Sequence, residues 1–215
     1  TSQAPQETTP SNQREERPHG PITFIDVASD IGLRWQHDNG ASAHKYFPET
    51  MSGGGAFFDF DNDGDLDVYA VNGGALDSSM TARPPNALFR NNRGRFSLLD
   101  EAAGAEDRSY GMGVAAGDIG GDGDLDLYIA NFGANTLFRN DDSQFIDISQ
   151  ASATDDTLWG SSCAFADYDR DGDLDLYVAN YVSYALTDAN RDNTPYMSDM
   201  NSYDRNTEKG YPHPA

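Results

Sequence analysis

Three copies of one acidic phrase constrain this chain more than any other feature: Asp59-Phe-Asp-Asn-Asp-Gly-Asp-Leu-Asp67, Asp118-Ile-Gly-Gly-Asp-Gly-Asp-Leu-Asp126 and Asp167-Tyr-Asp-Arg-Asp-Gly-Asp-Leu-Asp175. Carboxylates crowded in this way repel one another, and two held about 4 Å apart cost up to roughly 4 kcal/mol at a surface-like dielectric. A cation among them reverses that sign, and hard oxygen donors at alternating positions favour Ca2+. The phrase reads as a metal loop, and its recurrence reads as a repeat protein.

The spacing Asp-x-Asp-x-Asp-Gly-x-x-Asp puts oxygen donors at positions one, three, five and nine. The Gly at position six permits a sharp turn, and the carbonyl of residue seven points inward. The expected ligands of the first loop are Asp59, Asp61, Asp63 and Asp67 with the Asp65 carbonyl. Those of the third are Asp167, Asp169, Asp171 and Asp175 with the Asp173 carbonyl. The second loop carries Gly120 at position three, which leaves Asp118, Asp122 and Asp126 with the Asp124 carbonyl. Two strong calcium sites and one weaker site are therefore expected. An EF-hand opens the same way but needs a bidentate Glu at position twelve and flanking helices. Position twelve here is Ala70 in the first loop and Ile129 in the second, each inside a strand-like run.

The glycines Gly64, Gly123 and Gly172 lie 59 and 49 residues apart. Periods of about 40–50 residues fit four-stranded propeller blades. Each unit has the same grammar. An apolar, small-residue run (Gly55-Ala-Phe-Phe, Val114-Ala-Ala-Gly, Cys163-Ala-Phe-Ala) enters the acidic hairpin, and a second run (Leu66-Asp-Val-Tyr, Leu125-Asp-Leu-Tyr, Leu174-Asp-Leu-Tyr) leaves it. Asn86-Ala-Leu-Phe-Arg-Asn and Asn135-Thr-Leu-Phe-Arg-Asn follow as third strands, then Arg95-Phe-Ser-Leu-Leu-Asp and Gln144-Phe-Ile-Asp-Ile-Ser as fourth strands. Helical periodicity is absent, so the expected class is all-β, with two complete antiparallel blades and the front half of a third. Phe24-Ile-Asp-Val-Ala repeats the fourth-strand pattern ahead of the first unit, and the longer first interval is filled by a Gly/Ser/Pro-rich insertion at 73–85. Residues 1–21 read as a flexible tether, 22–182 as the repeats and 183–215 as an irregular segment leading toward a missing blade. Three sheets cannot close a ring, so a longer parent or closure by association is expected.

The net charge is -22, and 14 of the 36 acidic residues lie inside the three phrases. That balance excludes a nucleic-acid backbone or an anionic membrane surface as a partner of the bare chain. The sequence holds no stretch long enough to span a membrane. One cysteine, Cys163, permits no internal disulfide and sits in an apolar run as a small buried residue. Loops of this kind suit millimolar extracellular calcium, which favours a secreted, cell-surface or periplasmic location.

The phrase with its following Leu/Val-Tyr resembles the FG-GAP/VCBS repeat, whose integrin α-subunit relatives form calcium-bearing seven-bladed propellers. The run from Phe24 through Trp35-Gln-His-Asp-Asn-Gly, Tyr46-Phe-Pro-Glu-Thr-Met and Gly53-Gly-Gly-Ala-Phe-Phe-Asp is similar to the opening of the cartilage acidic protein (ASPIC/UnbV) family. The resemblance implies a secreted or surface propeller with bound Ca2+, about three blades of a seven-bladed parent, and the acidic residues above as ligands.

The leading functional expectation is a non-enzymatic binding, adhesion or scaffold module that takes a protein or carbohydrate ligand on loops such as 73–85 and 183–210. Tyr181, Tyr184, Tyr196 and Tyr203 are candidate contact residues. The alternative is the propeller part of a polysaccharide-acting lyase or hydrolase. Its acid and base would come from His37, His44, Lys45, Tyr46 and Glu49, although these show no recognisable catalytic spacing. His19 and His213 look incidental. No Gly-rich phosphate loop, Ser/His/Asp pattern or Cys/His zinc spacing is present.

Overall fold

A computed structural model describes residues 23–77, 80–182, 184 and 186. The tether at 1–21, most of the segment 183–215, and His19, Tyr196, Tyr203 and His213 lie outside the described residues. The first sheet runs β1 (Gly54–Phe58), β2 (Asp67–Val71), β3 (Ala87–Asn92) and β4 (Arg95–Leu98), in that order and antiparallel. The second repeats it with β5 (Tyr110–Gly117), β6 (Asp126–Phe132), β7 (Thr136–Asn140) and β8 (Phe145–Asp147). The third pairs β9 (Gly160–Ala166) with β10 (Asp175–Asn180).

One register unites the three sheets. Phe58 stands opposite Asp67, Gly117 opposite Asp126 and Ala166 opposite Asp175, so every acidic phrase closes its hairpin at the same place. Alternation along the strands then gives each sheet two packing faces. The first two sheets share one core, in which Phe58, Tyr69, Val71 and Leu88 meet Leu127, Ile129 and Phe138. The second sheet lies between the other two, and its β6 reads buried at nearly every position. Repeated polar clamps fix the blades: Tyr69 Oη donates to Ala105 O at 2.7 Å, and Tyr128 Oη donates to Thr154 O at 2.9 Å. The equivalent Tyr177 on the outward face of the third sheet is 54 % exposed, because no further sheet covers it among the described residues. These sheets are stacked and, among the described residues, do not close a ring.

Small residues set how closely the sheets approach. A Cβ on Gly111 would stand 2.0 Å from Val71 Cγ1 and 3.0 Å from Asn72 O. Val71 is fully buried and has nowhere to go. Gly111→Ala is therefore expected to cost about 1–3 kcal/mol by overpacking, read as a lower urea midpoint at unchanged slope.

Three details differ from the sequence expectation. Phe24–Ala28 forms no strand; Phe24 is 93 % exposed, and a single-turn helix α1 (Ala28–Ile31) begins at its end. The local geometry is nevertheless that of a fourth-strand exit. Ala28 N donates to Asp26 Oδ1 at 3.0 Å, as Ser149 N donates to Asp147 Oδ1 at 2.9 Å. Leu33 N reaches Ala28 O at 2.9 Å, as Thr154 N reaches Ser149 O at 3.0 Å. The segment thus has the exit turn of a fourth strand without a sheet edge to pair with, and an unpaired strand does not hold itself extended. Secondly, the start of the 73–85 insertion is packed, with Gly73 and Leu76 buried and Arg83 Nε donating to Ala75 O at 3.0 Å. Its backbone also forms a 3-10 turn at Met80–Ala82. Thirdly, a 3-10 turn stands at Phe47–Thr50 and a turn with left-handed Glu101, Ala102 and Ala103 at Asp100–Gly104, both too short to leave a helical period in the sequence. The class is all-β.

Candidate metal centre

Each acidic loop is bent by two left-handed residues. Position six is Gly64, Gly123 or Gly172, with φ of 91°, 95° and 102°. Position four is Asn62, Gly121 or Arg170, with φ of 56°, 67° and 65°. Such a turn folds successive amides back on the position-one carboxylate. Asp63 N and Gly64 N donate to Asp59 at 3.1 and 2.9 Å. Asp122 N and Gly123 N donate to Asp118 at 3.1 and 2.9 Å. Asp171 N and Gly172 N donate to Asp167 at 3.1 and 3.2 Å.

Position nine works between strands. Asp67 is fully buried and accepts Phe60 N at 3.0 Å and Asn91 N at 2.7 Å, which ties the loop to β3. Asp126 does the same with Ile119 N and Asn140 N, both at 2.8 Å. Asp175 accepts Tyr168 N at 3.0 Å, and its sheet has no third strand among the described residues. Position seven reaches the next turn: Asp65 accepts Arg93 N at 2.7 Å and Asp124 accepts Asp142 N at 2.9 Å. Asn62 Nδ2 donates to Asp124 Oδ1 at 2.8 Å and links the first loop to the second.

The fold gathers Asp59, Asp61 and Asp67 so that one ligand atom from each lies within 4.8 Å of the others, and it gathers Asp167, Asp169 and Asp175 likewise. The Asp63 and Asp171 carboxylates fall outside these groups, and the second loop forms none among the described residues. Gly120 is the reason, since it removes the third acid. The first group fits a hard cation. The Asp61 side chain is only 8 % exposed, one of its oxygens meets Arg90 Nη2 at 2.7 Å, and the other, Oδ1, is buried without a partner. A desolvated carboxylate oxygen beside two further carboxylates is the kind of donor a hard cation accepts.

Burial is the main force on these acids. It raises the Asp67 carboxyl above the usual range against the amides of Asn91 and Phe60, and pushes Asp126 up to about 6 against those of Asn140 and Ile119. Burial also raises Asp61, with repulsion from Asp63 and Asp59 adding to it and Arg90 opposing it. A carboxyl raised in the folded state binds protons more tightly than in the unfolded chain. Its stabilising contribution is complete below the ordinary carboxyl value near 3.8 and is lost as pH rises through about 6. In EDTA, the melting temperature is therefore expected to rise as pH falls from 7 to about 5. A flat or falling profile over that window, measured by circular dichroism, contradicts this.

Of the residues considered for catalysis, Glu49 and His37 make local hydrogen bonds. Glu49 is buried and accepts Ser42 Oγ at 2.6 Å and Ser42 N at 3.1 Å. His37 Nε2 meets Ser52 Oγ at 2.9 Å, while its Nδ1 is buried without a hydrogen-bond partner. His44 packs on Tyr46 with ring centroids 5.4 Å apart, and Lys45 lies nearby with φ of 53°. Tyr181 and Tyr184 pack edge-on around Trp159, at 5.3 and 5.5 Å. Cys163 is half-buried, with Sγ donating to Tyr128 O at 3.5 Å, and burial pushes its thiol up to about 12, which disfavours the thiolate. No described helix is long and apolar enough to cross a membrane.

Stacked four-stranded sheets with an acidic loop at one fixed register define the class, a β-rich repeat module. A family model described as an FG-GAP-like repeat matches residues 59–129 and 121–178, together more than half of the chain. The chain belongs to the FG-GAP-like repeat family. No curated protein gives a significant match.

Proposed function

We propose that this chain is a calcium-stapled propeller module that works outside the cytoplasm, in binding, adhesion or as a scaffold for a protein or carbohydrate ligand. One observation carries the reading: two loops in equivalent register each bring three carboxylates together, and the first holds a buried, unpartnered oxygen. An ion held by positions one, three and nine ties the turn to the strand that leaves it. When bound, calcium supplies the positive charge that lets these acids stay ionised and close together. The backbone amides already on Asp59, Asp67 and Asp167 orient the carboxylates, as supporting hydrogen bonds do around metal ligands generally. The likeness of residues 24–59 to the cartilage acidic protein (ASPIC/UnbV) family supports the extracellular placement.

Metal counting by mass spectrometry after equilibration in micromolar calcium tests the reading. Asp61→Ala and Asp169→Ala are each expected to remove one bound ion, and Asp63→Ala and Asp171→Ala to weaken the same two sites. Asp122→Ala is expected to do least, because its loop already lacks position three. Equal calcium content in the parent and all the variants would sink the assignment.

A further inference from the structure

We propose that Arg90 positions Asp61 as a metal ligand, tying back one carboxylate oxygen so that the other is presented to the cation; this role rests on the calcium reading above. Arg90 projects from β3, two residues beyond Leu88, while Asp61 sits in the turn between β1 and β2. Arg90 Nη2 stands 2.7 Å from Asp61 Oδ2 and 3.4 Å from Asp63 Oδ2. Asp61 Oδ1 has no hydrogen-bond partner and is buried, while the arginine that holds Oδ2 is 48 % exposed. The free oxygen belongs to the same residue that groups with Asp59 and Asp67 within 4.8 Å. Carboxylate ligands are commonly held in this way, one oxygen on the metal and one on a supporting donor.

The second blade is an internal control. Arg139 occupies the same place in Thr136-Leu-Phe-Arg-Asn as Arg90 does in Ala87-Leu-Phe-Arg-Asn. Its loop has Gly120 where the first has Asp61, and Arg139 turns instead to Asp141, with Nε on Oδ1 at 2.6 Å and Nη2 on Oδ2 at 2.7 Å. The arginine sits on position three where that position is an acid and goes elsewhere where it is not. The pair also lines a groove of about 630 Å³, bordered by Leu99 and Gln144.

The test uses the full chain carrying Asp122→Ala and Asp169→Ala, so that the first loop is the one that loads. Calcium affinity is measured by calorimetry. Terbium(III), a cation of similar size and ligand preference, reports the number of coordinated waters through its luminescence lifetimes in H2O and D2O. Arg90→Gln is expected to weaken calcium at least about tenfold and to add one coordinated water, because Asp61 is free to swing away. Arg90→Lys is expected to recover most of the affinity, and Arg139→Gln to leave this loop unchanged. Unchanged affinity and hydration in Arg90→Gln would reduce the pair to a surface contact and overturn the role. Tighter binding would overturn it too, by showing that Arg90 competes with the ion. A parent that binds neither ion overturns the calcium reading itself, a result distinct from these two.

Discussion

Millimolar calcium is expected to raise the melting temperature of this chain by roughly 10–20 °C over its value in EDTA. At 100 times its dissociation constant, an ion bound only by the folded state adds about 2.7 kcal/mol per independent site. Two complete groups, around Asp61 and around Asp169, therefore add about 5 kcal/mol. For a chain of this length, each kcal/mol moves the midpoint by about 2–4 °C. The effect arises because the apo loops hold like charges together at the cost of repulsion, which the ion removes. Scanning calorimetry at fixed protein concentration reads the shift directly, and superimposable melts in calcium and EDTA would show that the loops fold without metal.

Asp126→Ala is expected to destabilise the chain by about 3 kcal/mol or more even in EDTA, because the second loop's position nine is a clamp between strands before it is a ligand. Its carboxylate is 1 % exposed and accepts the amides of Ile119 and Asn140, both at 2.8 Å. Truncation leaves two N–H groups unpaired, that of Asn140 buried and that of Ile119 partly buried, and an unsatisfied buried donor costs about 1–3 kcal/mol. Asp175→Ala is the matched comparison. Asp175 is only partly buried and receives Tyr168 N at 3.0 Å, so its loss in EDTA is expected to be clearly smaller. Urea titration of both variants decides the matter, and equal, small losses would contradict the clamp.

The hairpin grammar was legible in the sequence because it is local and repeated. A strand, an acidic turn and a returning strand occupy about two dozen residues, and three copies reveal which positions the fold needs. Gly64, Gly123 and Gly172 have the left-handed backbone that their position predicted. Position four escaped notice, although Asn62 and Gly121 are residue types that tolerate the same conformation; Arg170 hid the pattern. The clamps were not legible, because the amide that meets Asp67 belongs to Asn91 on another strand, 24 residues on. The same distance problem hid Arg90, whose partner Asp61 lies in the preceding hairpin. A signal did exist: Leu-Phe-Arg-Asn occurs twice, and a repeated charged residue beside a repeated acidic loop invites pairing.

Phe24–Val27 shows the opposite failure. Its sequence matches a fourth strand and its exit turn forms as one, yet pairing depends on a neighbouring edge, which no local pattern can supply. The third sheet illustrates the same rule, since Tyr177 keeps the identity of Tyr69 and Tyr128 but not their burial. Identity is written in the repeat, whereas burial is set by what stacks against it.

The most direct test is an anomalous-scattering map from a crystal grown in calcium. Peaks are expected among Asp59, Asp61 and Asp67 and among Asp167, Asp169 and Asp175, with ligand oxygens at about 2.3–2.6 Å. No peak at either group under saturating calcium would contradict the account.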